Sequence, residues 1–310
     1  MRVESRSAVW EHTVRWSAAL VAACALAAPA AAQPPDPAYR EYVSLGDSFT
    51  ADVLTTVPPT TEFAPFNCDQ SVTNYPRLVA AALAVPTFRD ASCGGAKTAD
   101  MTAPQTVPLG SNPPQLDRLT PTTDLVTLSI GGNDLGLQEL IPQCLSPAGL
   151  LPGLPDPGSC AARVTANGAD PVEARTAAAE AGVTATIDEI RRRAPNARIL
   201  LVDYLDALPD TGCVPELPAT PADAAYLRSK LIRLNTMLAR VADRTGVRLV
   251  DTFAAGTGHD VCQAPDVRYV EGLLPFSDRN PQLVAFPFHP NAAGAAAQAR
   301  AVLDAIGHRA

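Results

Sequence analysis

The stretch that most constrains the fold is an almost continuous apolar segment in the middle of the chain. It runs over residues 124–130, DLVTLSI, and is followed directly by Gly-Gly-Asn-Asp at residues 131–134. Strands of a parallel sheet are covered by helices on both faces, so they are apolar almost throughout. The segment therefore predicts a central strand of a parallel sheet with a glycine turn at its carboxyl end.

Strand and helix patterns alternate along the rest of the chain. Further strands are predicted at residues 40–45, 86–91, 197–204 and 247–250, and helices at residues 74–83, 170–193, 220–244 and 289–306, with a short helix between the second and third strands. This alternation indicates a parallel sheet with helices on both faces. We predict a single three-layer α/β/α domain around a five-stranded parallel sheet. Residues 141–170 and 251–287 are predicted to be loops.

The first 32 residues have the pattern of a secretory signal peptide. Three arginines precede an apolar, alanine-rich stretch at residues 16–28, which is too short to span a bilayer, and a small-residue cleavage site follows at residues 30–32. We predict that residues 1–32 are removed and that residues 33–310 form the mature domain, which is secreted. An alternative interpretation makes Cys24 the lipid-modified residue of a lipoprotein.

The charge balance excludes some partners. The chain has 24 basic and 32 acidic residues, a net charge of -8, and no basic run, which argues against binding to nucleic acid or to anionic membranes. No pair among the four histidines has helical metal-ligand spacing, and no Cys-x-x-Cys occurs. We therefore predict no metal and no cofactor.

Six cysteines remain after the predicted leader: Cys68, Cys93, Cys144, Cys160, Cys213 and Cys262. An even number of cysteines in an exported chain predicts disulfides. The count alone leaves 15 connectivities open.

Four short motifs carry complementary chemistry. Gly-Asp-Ser at residues 46–48, Gly-Gly at 94–95 and the 131–134 turn follow the first three predicted strands, so they meet at one edge of a parallel sheet, and His289 precedes the last helix. Ser48 supplies a hydroxyl nucleophile and His289 a general base. The backbone N–H groups of Ser48 and Gly95 and the side-chain amide of Asn133 are candidate donors to an oxyanion. Asp47 is predicted to brace the turn through hydrogen bonds.

These motifs, in this order, resemble the four signature blocks of the SGNH hydrolases, also called GDSL esterases or lipases. The resemblance covers residues 40–306 and implies a flavodoxin-like α/β/α fold. It assigns Ser48 as the nucleophile, Gly95 and Asn133 as oxyanion donors and His289 as the base; Gly95 is chosen over Gly94 because the family places a small residue just before the donor glycine. The pattern is most similar to exported bacterial lipases and esterases with disulfides between sequential cysteines, which implies the pairs Cys68–Cys93, Cys144–Cys160 and Cys213–Cys262.

One position departs from the family pattern. The family usually has an acidic residue three positions before the histidine, whereas this chain has Phe286. We predict instead that a main-chain carbonyl near Phe286 orients His289, as in some relatives. Asp251 and Asp278 remain alternatives if a loop folds back.

The predicted substrate is a small-molecule or lipid ester with an aliphatic acyl group, acted on by a monomer without stable membrane insertion. Large apolar residues flank the motifs: Leu135, Leu137, Leu140, Leu273, Leu274, Phe276, Phe286 and Phe288. Apolar walls with a few convergent polar groups suit an acyl chain. Alternatives are a carbohydrate O-deacetylase or a phospholipase with the same machinery, or a non-catalytic exported binding protein. Both tryptophans lie in the leader, which leaves the mature chain without the large aromatic platforms that sugar sites favour.

Overall fold

The central sheet is parallel throughout and lies in the domain at residues 37–310. The structure is a computed structural model that describes residues 38–146, 158–275 and 285–308. The predicted leader with Cys24 lies outside these ranges, as do Phe276 and Asp278. In chain order the strands are β1 (Glu41–Gly46), β2 (Thr87–Asp90), β3 (Gln105–Val107), β4 (Gly110–Asn112), β5 (Leu125–Ser129), β6 (Arg198–Val202) and β7 (Arg248–Val250).

Five of these strands form the sheet, in the order β2-β1-β5-β6-β7. Counting only the sheet strands in chain order, this is 2-1-3-4-5, the flavodoxin-like order. The predicted five-stranded parallel sheet and fold class are therefore confirmed. The antiparallel hairpin of β3 and β4 was not predicted, because strands of three residues carry too little periodicity to detect.

The helices in chain order are α1 (Ser48–Ala51), α2 (Tyr75–Ala82), α3 (Gly132–Leu135), α4 (Leu137–Gln143), α5 (Cys160–Val164), α6 (Pro171–Arg193), α7 (Pro221–Thr245), α8 (Thr252–Ala255) and α9 (Ala292–Ile306). Short 3₁₀ helices occur at Phe66–Cys68, Thr98–Met101 and Gln115–Arg118. The two longest helices begin alike. Asp170 and Thr220 accept hydrogen bonds from the first backbone N–H groups, and a proline occupies the first helical position of each.

Alternate strand residues point into two separate cores. Val126 and Leu128 of β5 pack in the core that contains α6 and α7, whereas Leu125 packs in the core that contains α2 and α9. Successive side chains of a strand point to opposite faces. Burial on both faces explains why this segment is so continuously apolar, and the two cores give the domain its three layers.

Two predicted loops contain helices. α4 and α5 occupy parts of residues 141–170, and α8 lies inside residues 251–287. All three are short, and proline and glycine in the surrounding sequence obscure their periodicity. In the described part of the chain, no helix combines the length and apolarity needed to cross a membrane.

Candidate active site

Ser48 lies at the carboxyl end of β1 and is the first residue of α1. The Asp47 carboxylate caps this helix by accepting from the Phe49 backbone N–H at 3.0 Å. Gly46 has no room for a side chain, since a Cβ there would lie 2.7 Å from the Ser129 carbonyl oxygen of the neighbouring strand. The tight strand-to-helix turn therefore requires glycine at 46 and presents Ser48 at the edge of the sheet.

His289 contacts Ser48 directly. Its Nε2 lies 2.7 Å from Ser48 Oγ, and its Nδ1 lies 2.8 Å from the main-chain oxygen of Pro287. A carbonyl oxygen only accepts, so Nδ1 carries the proton and Nε2 is free to accept from the serine hydroxyl.

The carbonyl that accepts from His289 Nδ1 is that of Pro287 and not that of Phe286, so the residue named from the sequence is corrected by one position. The Phe286 carbonyl instead accepts from the backbone N–H of His289, at 3.1 Å. That bond closes a tight turn in which Phe288 has a φ of 62°, and the turn brings the ring back to the carbonyl two residues before it. The Asp251 carboxylate caps α8 by accepting from Ala254 N–H, and Asp278 lies outside the described residues.

Burial lowers the pKa of the His289 imidazole from 6.5 to about 4, and the hydrogen bond to Pro287 opposes that shift. The cause is the loss of water around the charged form. The neutral form, which can accept a proton, is therefore favoured near neutral pH.

Ser48, Gly95, Asn133 and His289 line the same cavity. The Asn133 amide donates one hydrogen to the Ala96 carbonyl at 2.9 Å, which fixes the side chain and leaves its second N–H available. Gly95 has a φ of 74°, a conformation that glycine adopts without strain. The three sequence blocks thus converge although they are up to 85 residues apart along β1, β2 and β5.

The cavity has a volume of about 470 Å³ and mostly apolar walls. Of the eight flanking apolar residues predicted from sequence, Leu137, Leu273, Phe286 and Phe288 line it. Leu135 and Leu140 are buried in the core instead, and Leu274 is exposed. The walls also contain residues that the sequence did not indicate: Ile141, Leu145, Leu208, Leu227 and Leu231.

Tyr204 is a further residue that the sequence did not indicate. Its buried hydroxyl donates to Asp47 Oδ2 at 2.5 Å and accepts from the Gly132 backbone N–H at 3.1 Å. Burial raises the pKa of Asp47 to about 7, and the bond from Tyr204 opposes that rise. Tyr204 therefore connects the Ser48 turn with the Asn133 turn. No local motif marks this residue, which lies two positions after the end of β6.

A buried polar group supports the segment that carries His289. Asn291 caps α9 through its Oδ1, while its Nδ2 donates to Glu271 Oε1 at 2.8 Å and to the Arg268 carbonyl at 2.9 Å. The Glu271 carboxylate in turn pairs with the Arg268 guanidinium at 2.6 Å. The Glu271 backbone N–H donates to the His289 carbonyl at 3.0 Å, which links the main chain at His289 to this polar group.

The structure contains the disulfides Cys68–Cys93, Cys144–Cys160 and Cys213–Cys262, the same pairs that the resemblance implies. The first joins the loop after β1 to the loop after β2, immediately before Gly94 and Gly95. Within the described ranges, no group of three histidine, cysteine or carboxylate side chains is arranged to hold a metal ion.

Comparison with known proteins identifies the family. The model of the GDSL-like lipase/acylhydrolase family matches residues 44–297, a range that contains Ser48, Gly95, Asn133 and His289. The chain belongs to this family. It is therefore a carboxylic ester hydrolase, as predicted from the motifs.

Individual relatives agree with this assignment to the GDSL-like family. Lipase 2 of Streptomyces coelicolor is 37% identical over 294 residues, which cover 93% of this chain and 92% of that protein. An esterase of Streptomyces scabiei is 31% identical over 339 residues, which cover 99% of this chain and 97% of that protein. The crystal structure of phospholipase A1 from Streptomyces albidoflavus NA297 matches with a TM-score of 0.65 and 25% identity, covering 88% of this chain and 100% of that one.

Proposed function

We propose that this enzyme is an exported serine esterase or lipase that hydrolyses esters of aliphatic acids through an acyl-enzyme on Ser48. The observation that carries the proposal is the 2.7 Å contact between Ser48 Oγ and His289 Nε2 at the wall of an apolar cavity. A serine hydroxyl is a weak nucleophile until an adjacent base takes its proton.

Acylation begins with attack of Ser48 Oγ on the ester carbonyl carbon while His289 Nε2 takes the hydroxyl proton. The resulting tetrahedral intermediate collapses, the bond to the alcohol oxygen breaks, and His289 returns the proton to the departing alcohol. Water then attacks the acyl-enzyme with His289 again as base, and Ser48 regains its proton when the acid leaves. Each step needs His289 to alternate between neutral base and cationic acid.

The intermediate carries a negative oxygen, for which we propose three donors. These are the backbone N–H groups of Ser48 and Gly95 and the second amide hydrogen of Asn133. The hydrogen bond from Asn133 to the Ala96 carbonyl supports this role, because it fixes the amide before substrate arrives. Donors fixed in advance stabilise developing charge without reorganisation.

We propose a Ser48–His289 dyad in which the Pro287 carbonyl replaces the carboxylate of a triad. The 2.8 Å bond to Nδ1 holds the tautomer that leaves Nε2 unprotonated. A carbonyl dipole stabilises the imidazolium less than a full charge does. Burial accounts for the low pKa of His289, and among the residues that the structure describes no carboxylate pairs with its ring.

The apolar walls of the cavity favour binding of the aliphatic acyl group of the substrate. Leu227 and Leu231 of α7 line the cavity together with Ile141 and Leu145, and burying each methylene of an acyl chain against such side chains stabilises binding by roughly 0.8 kcal/mol. Phospholipids contain this same ester, and the similarity to a phospholipase A1 makes them a second candidate substrate.

Export is supported by the predicted leader at residues 1–32 together with three disulfides in the described domain. Disulfides persist in oxidising compartments and are rare in the cytosol. We propose that the mature enzyme begins near Gln33. N-terminal sequencing of the secreted protein tests this directly.

Ser48→Ala tests the nucleophile, with Ser229→Ala as a matched control on the exposed surface of α7. Ser48→Ala should abolish hydrolysis of p-nitrophenyl esters and labelling by a fluorophosphonate, without changing the melting temperature. Ser229→Ala should retain both reactions. Turnover by Ser48→Ala, or a label on another serine in peptide mapping, would refute the assignment. Rates across acyl lengths, phosphatidylcholine and acetylated xylan then define the substrate.

A further inference from the structure

The β3–β4 hairpin has an unusual residue at its tip. Val107 pairs with Gly110, so Pro108 and Leu109 form a two-residue turn, and Leu109 has a φ of 62°. Proline fixes a negative φ at the first turn position, and a positive φ at the second then defines a type II turn. That second position favours glycine or asparagine, because a Cβ there is strained. Leucine at 109 therefore disfavours the turn.

Hydrophobic burial does not offset this backbone strain, because the Leu109 side chain is fully exposed. A leucine that strains the backbone and buries no surface contradicts both local conformational preference and hydrophobic burial. Such contradictions are expected where function rather than stability has selected the residue.

The position of Leu109 indicates what that function is. Its neighbour Pro108 lines the cavity that contains Ser48. Three other exposed large apolar side chains belong to the cavity lining or adjoin it along the chain: Phe66 precedes the cavity residue Asn67, Leu274 follows the cavity residue Leu273, and Phe286 lines the cavity itself. We call Phe66, Leu109, Leu274 and Phe286 the rim patch. It draws on separate segments of the chain.

The chemistry of the rim patch favours an uncharged surface as its partner. The described cavity residues include the carboxylates Asp47 and Asp69 but no lysine or arginine, and the chain has a net charge of -8. Anionic lipid would not be attracted. A protein bound to the patch would block substrate access to Ser48. An aggregated ester bound there would instead supply substrate to the cavity.

We propose that the rim patch docks this enzyme on the surface of aggregated lipid ester, with Leu109 inserted into the acyl layer. An acyl chain then passes from the aggregate into the cavity without crossing water. The choice of a lipid surface as the partner rests on the proposed function. Binding is driven by apolar area and not by charge.

The test measures binding to phosphatidylcholine vesicles by co-sedimentation, with all proteins carrying Ser48→Ala so that the lipid stays intact. Adding Leu109→Asn should weaken binding about tenfold or more, because one buried leucine is lost from the contact. Leu78→Gln on α2, an exposed leucine on a helix that does not line the cavity, is the matched control and should bind normally. Phosphatidylglycerol in the vesicles should not strengthen binding.

With Ser48 intact, Leu109→Asn should hydrolyse dissolved p-nitrophenyl butyrate at the normal rate and melt at the same temperature or higher, since asparagine suits the turn. Failure of the parent to bind vesicles, equal binding by Leu109→Asn, or a matching loss on the dissolved ester would each overturn the proposal. Docking is read from sedimentation and the nucleophile from hydrolysis by Ser48→Ala, so a failure of the docking proposal and a failure of the proposed function give different results.

Discussion

His289 shows how much of this site depends on one side chain in one tautomer. Its two ring nitrogens have different partners, Ser48 Oγ and the Pro287 carbonyl, and both bonds are shorter than 3 Å. The first partner requires an unprotonated Nε2 and the second a protonated Nδ1. We propose that the main chain of this tight turn orients the ring as a carboxylate does in a triad.

The pH dependence of kcat/KM should reflect the depressed pKa of His289. The free enzyme needs a neutral imidazole, and burial moves the pKa from 6.5 to about 4. We expect the acid limb of the profile for a dissolved ester to lie clearly below pH 6.5. Asp251→Asn should not shift the pH of this acid limb, because the Asp251 carboxylate caps α8 and is not the hydrogen-bond partner of His289.

Stability must be measured over the same pH range as a control. The unfolded chain takes up a proton on His289 near pH 6.5 and the folded chain only near 4, so this group favours unfolding increasingly as the pH falls between those values. An acid limb at or above pH 6.5 in a folded enzyme would contradict the assignment of a buried, carbonyl-oriented base.

At the scale of elements, the site is an assembly of turns that must keep a fixed spacing. Tyr204, just after β6, donates to the Asp47 cap of α1 and accepts from the Gly132 N–H at the start of α3. Its ring also packs against Phe49, with centroids 5.0 Å apart. One buried side chain thus fixes the Ser48 turn relative to the Asn133 turn.

Tyr204→Phe should lower kcat by on the order of ten- to a hundredfold with little change in KM, because small displacements of catalytic groups are costly. It should also destabilise the fold by about 1–3 kcal/mol, since Asp47 and the Gly132 N–H lose a buried partner. Tyr226→Phe is the matched control: its hydroxyl donates to Asp170 at 2.9 Å and it does not line the cavity. Equal kcat in the two variants would exclude a positioning role for Tyr204.

The sequence predicted those features that local residues determine. The five strands of the parallel sheet, the long capped helices and the four motif turns depend on periodicity, caps and glycine, all of which are short-range. Tyr204 and the cavity residues Leu227 and Leu231 depend on how distant elements pack, and the spacing of the two leucines on α7 is also that of an ordinary core face. The sequence named Phe286 where the structure has Pro287, because only the observed turn shows which carbonyl accepts the hydrogen bond from the His289 ring.

At the scale of the whole molecule, the disulfides hold long loops at the edge of the sheet where the site lies. Cys213–Cys262 links the loops that follow β6 and β7, and Cys68–Cys93 links those that follow β1 and β2. These loops contribute much of the site, yet they have less regular structure than the sheet. Covalent links restrict the unfolded chain most where the closed loop is long.

The stability of the whole domain should therefore depend on oxidation. The disulfides join residues separated by 25, 16 and 49 positions, and in the loop-entropy model they contribute about 10 kcal/mol together, with about 4 from Cys213–Cys262. Typical domains have only about 5–15 kcal/mol in total. We expect the fully reduced chain to be unfolded or marginally stable in urea titrations. The oxidised Cys213→Ser, Cys262→Ser double variant should remain folded but lose about 4 kcal/mol. A reduced chain that unfolds at the same urea concentration as the oxidised one would show that the packed core alone maintains the site.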